Sequence, residues 1–293
     1  LLEKYPLYER NDQVMYQLAR AYEDGGRQDE AMQVLNELVK KYPTSVHYDE
    51  AQFRRGEIFF VRKQYHEAEK AYSEVVKAGP VSAFYDQSLF KRGWSFFKQS
   101  LFEEGLDDFV ALLDIKTAAG YHIKNEANKT EYQRVEDTFR VVSLSFSYIG
   151  GPEFVRNYFD RRGHRDYEDL VYSYLGEHYL EKRRYQDAAN AYKSFIALYP
   201  LHEKASGYQM RIIDIFRKGQ FPQLVIEAKR EFAITYDLKS AYWTYHDINR
   251  FPEELAFIKT NLTDLAKHYH ALSQRSRKRE ERQEAYQEAT RWY

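Results

Sequence analysis

Tyr-Pro or Gly-Pro pairs fall at Tyr5-Pro6, Tyr42-Pro43 and Gly79-Pro80, each 37 residues after the last, and the small residues Ala19, Gly56 and Gly93 keep the same step. A period of this length marks a stack of supersecondary units, none of which can bury its apolar face alone. The stretch 56–80, GEIFFVRKQYHEAEKAYSEVVKAGP, states the unit most fully. Its Gly56, Phe59, Tyr65, Ala68, Tyr72 and Pro80 have the spacing of two amphipathic helices joined by a tight turn. Gly56 and Ala68 let the two backbones approach, and the aromatic rings fill the space beside them. The pattern predicts an all-α solenoid of helical hairpins.

In chain order, 1–11 reads as the tail of a preceding repeat, because LLEKYP aligns with ELVKKYP at the end of a later second helix. Opening without Met on half a repeat predicts a fragment of a longer protein. Residues 12–116 hold three regular repeats, the third with Gly93, Phe96, Phe102, Gly105, Phe109 and Leu112 in the slots of the others. Residues 117–137 read as an insertion, since TAAGYHIKNEANKTEYQ (117–133) sustains no helical apolar face and predicts a long loop. A degenerate repeat follows at 138–171, where Gly150-Gly151-Pro152 forces a turn before a helix over 153–162. Two further repeats occupy 169–238. Residues 239–293 read as a short helix, a turn at Arg250-Phe251-Pro252 and a hairpin whose interval is about seven residues too long, so that one or both helices gain roughly two turns.

The chain of 293 residues carries 44 Lys+Arg against 45 Asp+Glu, so no strong field points to nucleic acid or anionic lipid, and no nucleic-acid partner is expected. The absence of cysteine excludes disulfides, thiolate metal sites and cysteine nucleophiles. No run approaches a membrane span. Phosphate-binding glycine loops, HExxH and GxSxG are all missing, and His268 and His270 diverge by about 200° on a helix and cannot share a metal. Neither catalysis nor a metal or cofactor is expected. Arg275 to Arg282, RSRKREER, interleaves glutamates with its bases and reads as a solvated helix face.

Leu18-Ala19-x2-Tyr22, Ala31-x3-Leu35 and Pro43 follow in order the pattern Trp-x2-Leu-Gly-x2-Tyr, Ala-x3-Phe, Pro, as do Gly56-x2-Phe59, Ala68-x3-Tyr72 and Pro80, and Leu175-Gly176-x2-Tyr179. The chain resembles the tetratricopeptide-repeat (TPR) family. The resemblance implies a right-handed superhelical solenoid of about six to seven repeats, some degenerate, acting as a non-catalytic scaffold that binds a protein or peptide in its concave groove. Carried over from the family, the groove positions are Tyr16 and Arg20 in the first repeat, Phe53, Glu57 and Phe60 in the second, and Phe90, Trp94 and Phe97 in the third. Phe139, Val142, Phe146 and Ile149 extend the apolar trend. The Lys, Asn, Asn, Lys, Arg clamp of the chaperone-binding members is absent, since those positions read Tyr16, Arg20, Gln87 and Lys91.

The Tyr-Pro-rich repeats are similar to those of bacterial envelope TPR proteins: the outer-membrane assembly lipoprotein, the Tol-Pal accessory factor and TonB-system components. That implies a periplasmic location within a cell-envelope assembly, the alternative being cytoplasmic. Two other roles stay open: a rigid spacer or self-association module of a larger protein, and a recruitment segment whose enzymatic domain lies elsewhere. The apolar strip is either an open groove or covered from within the chain.

Overall fold

The computed structural model describes residues 2, 4, 5, 7–122, 127 and 129–293. Pro6 of the first Tyr-Pro pair, and 123–126 and 128 of the expected insertion, lie outside the described residues. Contacts divide the chain into two units, 1–149 and 150–293.

The first unit holds α1 (Asn11–Asp24) with α2 (Gln28–Lys41), α3 (Tyr48–Val61) with α4 (Tyr65–Ala78), α5 (Tyr85–Lys98) with α6 (Phe102–Ala118), and then α7 (Lys129–Ile149). The second holds α8 (Pro152–Arg162), α9 (Glu168–Glu181) with α10 (Tyr185–Leu198), α11 (Ala205–Lys218) with α12 (Pro222–Thr235), the single turn α13 (Tyr242–Tyr245), α14 (Pro252–Arg275) and α15 (Arg279–Trp292). All the regular elements described are helical, and consecutive helices pack as pairs.

First helices begin at Asn11, Tyr48, Tyr85, Glu168 and Ala205, each 37 residues on except for 83 between Tyr85 and Glu168, two periods plus nine residues. Tyr242 opens α13 on the same phase, but that helix ends after one turn as His246 becomes extended. Arg279 opens α15 on phase again.

Two sequence signals set the pair geometry. Gly56 faces the ring of Tyr72, Gly93 that of Phe109 and Gly176 that of Tyr192, each ring 16 residues on and too close to admit a Cβ. Within the pairs the chain reverses through a left-handed residue at Gly26, Lys63, Ser100, Arg183 and Gln220. The amides there and at the next residue return to carbonyls of the helix just ended, as Lys63 N donates to Phe60 O and Gln64 N to Phe59 O.

Two expectations are corrected and one is sharpened. The 117–133 loop is shorter than expected, because α6 runs on to Ala118 and α7 starts at Lys129, taking in most of what read as insertion. Val135, Thr138, Phe139, Val142 and Phe146 form the buried face of α7. Its first turns are instead held by charge: Lys116 Nζ lies 2.8 Å from Glu131 Oε2, a tie that apolar periodicity cannot register. The lengthening expected in one or both of the last helices falls on α14 alone, with 24 residues against 14 in α15. Finally, Tyr22, Phe59 and Phe96, which hold the repeat's aromatic slot and are expected from it to fill the space between the helices, are half-buried under the guanidinium groups of Arg27, Arg55 and Arg92.

Candidate functional site

A cavity of about 360 Å³ opens within the first unit. Its floor is apolar, made by Phe53 of α3, Phe90 of α5 and Leu112 of α6. Glu57, Asp86, Gln87, Lys91, Lys116, Arg134, Asp137 and Thr138 form the walls. Of the eight groove residues expected from the sequence, Phe53, Glu57 and Phe90 come together here.

Helical periodicity explains the placement. Phe53 and Glu57 are one turn apart on α3, and Phe90 and Lys91 lie 37 and 34 residues after them on α5, the next first helix. Lys91 Nζ reaches Glu57 Oε2 at 2.9 Å, while the Tyr72 hydroxyl donates to Glu57 Oε1. Burial, followed by the bond to Glu57, holds the Tyr72 phenol well above its ordinary pKa, so it stays a donor. At the opposite wall Lys116 Nζ bridges Asp86 Oδ2 at 2.7 Å and Glu131 Oε2 at 2.8 Å. Burial works against the Lys116 charge, but the two carboxylates outweigh it and raise its pKa. The same pairing keeps Glu131 below its ordinary value although burial pushes it up. Paired charges and aromatic rings therefore line one cavity, an arrangement suited to taking an apolar side chain while polar groups fix the main chain beside it.

The other five expected residues lie elsewhere. Tyr16 is buried and stacks on His47 with ring centroids 4.3 Å apart, and exposed Arg20 lies over its ring. Phe60 sits edge-on to Tyr65, with Lys91 Nζ 5.6 Å from its centroid. Trp94 and Phe97 join a second aromatic cluster. Trp94 meets Phe90 and Phe109, and Phe97 meets Phe102 and Tyr148 edge-on. The sequence reading missed Leu112 and Lys116, which stand on α6, the second helix of its pair, and Arg134 and Asp137, which α7 brings in from the stretch where the period breaks.

The second unit repeats the Glu57 arrangement. Tyr192 donates to Glu177 Oε1 at 2.6 Å, and Arg211 binds the same carboxylate through two nitrogens at 2.8 and 2.6 Å. Burial pushes Glu177 up, but Arg211 and Tyr192 hold it below the ordinary carboxylate range. Lys91 follows Glu57, and Arg211 follows Glu177, by 34 residues, and that spacing was the legible signal. Among the described residues no three His, Asp or Glu side chains converge as metal ligands, and no helix is long and apolar enough to cross a membrane.

The tetratricopeptide-repeat family model matches residues 13–45, which span α1 and α2. Solved structures that the chain is similar to include the assembly chaperone of RpL4, Acl4, at 11% identity over 85% of this chain and 99% of that one, with a TM-score of 0.38. PilW, a type IV pilus biogenesis factor, is 13% identical over 81% and 99%, with a TM-score of 0.37. MamA from Desulfovibrio magneticus RS-1 is 13% identical over 78% and 97%, with a TM-score of 0.34. None of the three bears on function here, and no curated protein matches the chain. The match at 13–45 and the repeated helix pairs together support the tetratricopeptide-repeat family for this chain.

Proposed function

We propose that the protein is a non-catalytic scaffold that binds a protein or peptide partner, with the cavity of the first unit receiving an apolar side chain of that partner. The observation that carries this reading is the convergence of Phe53 and Phe90 on one floor beneath the Glu57–Lys91 pair. Aromatic anchors provide large apolar area at small entropic loss, and the paired rim charges offer a donor and an acceptor to a peptide main chain. The setting we propose is a periplasmic cell-envelope assembly, on the likeness of the Tyr-Pro-rich repeats alone.

A spacer or self-association role is favoured by a different observation: Trp94 and Phe97 are already packed against Phe102, Phe109 and Tyr148. The two readings separate in one experiment. Partner recovery from envelope extracts, compared for wild type, Phe90→Ala and Trp94→Ala with circular dichroism confirming the fold, should fall with Phe90→Ala. Unchanged recovery with a folded Phe90→Ala protein rejects the cavity as the binding position.

A further inference from the structure

In the second unit, α14 and α15 enclose a cleft of about 660 Å³ next to the connection that joins them. Away from that connection the pair is apolar, with Leu265, Ala266 and Tyr269 packed among Ala289 and Trp292. Toward it the apolar contact runs out, and His270, Ser273 and Gln274 of α14 stand against Arg279, Arg282, Gln283 and Tyr286 of α15. Among the described residues, no carboxylate lines the cleft. The Ser273 hydroxyl is turned back to His270 O at 2.7 Å, while Tyr286 is 62% exposed.

The stretch RSRKREER interleaves acids with bases in the sequence, but the helix separates them. At about 100° per residue, Arg279, Arg282, Gln283 and Tyr286 share an arc of about 100° on α15, whereas Glu280, Glu281, Glu284 and Glu288 fall on the opposite face. Two of those acids have partners of their own: Glu281 takes Lys278 at 2.9 Å, and Glu288 takes Arg230 at 3.4 Å. From 265 to 286 the chain carries six bases, Lys267, Arg275, Arg277, Lys278, Arg279 and Arg282, against the three acids Glu280, Glu281 and Glu284. Arg282 donates through Nε and Nη2 to Ser276 O at 3.3 and 3.2 Å, which fixes its guanidinium beside the connection. Among the described residues neither Arg279 nor Arg282 pairs with a carboxylate, and both are exposed.

We propose that this cleft binds a phosphate monoester, with Arg279 and Arg282 on the phosphate oxygens and the Tyr286 ring beside the esterified group. A guanidinium presents a planar fork of donors that matches phosphate oxygens, and two of them on one helix face supply the charge that a dianion needs. The amides of Gln274 and Gln283 add neutral donors, and no lining carboxylate opposes the anion. The site shares no lining residue with the cavity of the first unit, so the two readings stand or fall separately.

The test titrates the full chain with phenyl phosphate by calorimetry, using benzoate and inorganic phosphate as controls. A second arm measures co-sedimentation with phosphatidylcholine vesicles, with and without phosphatidic acid, whose headgroup is the same monoester. Phenyl phosphate should bind more tightly than either control and lose affinity as salt rises. Arg279→Gln and Arg282→Gln should each weaken it by about tenfold or more, because each removes charge-assisted hydrogen bonds. Arg291→Gln, the same charge change on the same helix outside the cleft, should leave it unchanged, as should Phe90→Ala. Arginine-dependent binding in the calorimetric arm supports a soluble phosphate ester, and the same dependence confined to phosphatidic acid vesicles supports a lipid headgroup. Binding in neither arm overturns the proposal. So does a control anion that binds as tightly as phenyl phosphate where that ester binds, or an equal loss with Arg291→Gln in whichever arm shows binding.

Discussion

Gly56 lies so close to Tyr72 that a methyl group on its Cα would sit 2.4 Å from ring atom Cε1. The contact joins α3 to α4, and Tyr72 then donates to Glu57, the neighbour of that glycine, and through Glu57 reaches Lys91 on α5. One ring thus sets the spacing within a pair and holds a charged group at the cavity wall. Gly56→Ala gains about 1 kcal/mol of helix propensity but forces the ring aside, at about 1–3 kcal/mol for overpacking. The net outcome is a lower urea midpoint. Tyr72→Leu in the same chain should recover part of the loss, because the smaller side chain admits the methyl; additive losses in the double variant would argue against the contact.

Lys63 and Ser100 occupy left-handed turn positions, with φ of 60° and 63°. A side chain in that region is disfavoured by about 1 kcal/mol relative to glycine. Lys63→Gly and Ser100→Gly should therefore each raise the unfolding midpoint, while the same change at Lys70, inside α4, should lower it. Thermal unfolding of the three variants decides the matter.

Lys116 is a tie between three helices, with Asp86 on α5 and Glu131 on α7 both on its ammonium. Lys116→Met keeps the stem but leaves two carboxylates facing each other, so the first turns of α7 should open. Amide hydrogen exchange should quicken from Glu131 to Asp137, with the core around Phe139 unaffected. Unaltered exchange in that segment would show that the tie does not hold the cavity wall.

Both ends of the pH scale should unfold the protein by titration of groups whose pKa values the fold shifts. Asp12, held by the Ser45 hydroxyl, and Glu50, Glu131 and Glu177, held by bonds that outweigh burial, have folded pKa values below their unfolded ones. Their contribution is complete above the unfolded value of about 4 and is lost as pH falls through the lower folded values. Tyr72, Tyr192, Tyr208 and Tyr236 are shifted upward, chiefly by burial. Stability should therefore fall as pH rises beyond about 10, and the phenolate absorbance of these four rings, read as the difference between wild type and each Tyr→Phe variant, should appear together with the loss of helix. Such a difference signal in a still-helical chain would mean that these rings are not sequestered.

The local geometry was open to reading because it depends on residues a fixed distance apart in the chain. Gly56 with Tyr72, Gly93 with Phe109 and Gly176 with Tyr192 repeat one contact, and the helix starts keep a 37-residue step from Tyr48 to Tyr85 and again from Glu168 to Ala205. Periodicity therefore determined the helical hairpin, its pairing and most of its buried face. Tertiary structure decided which exposed-phase residues face an opening. Phe53 and Phe90 pack on neighbouring rings yet also face the space that α7 walls, whereas Tyr16 stacks on His47, and Trp94 and Phe97 meet rings without lining the cavity. Those outcomes depend on ion pairs such as Lys116 with Glu131, and on how far a helix runs past its partner, as α14 does. Neither property leaves an apolar period in the sequence, since charge pairing and helix overhang are settled between elements rather than within one.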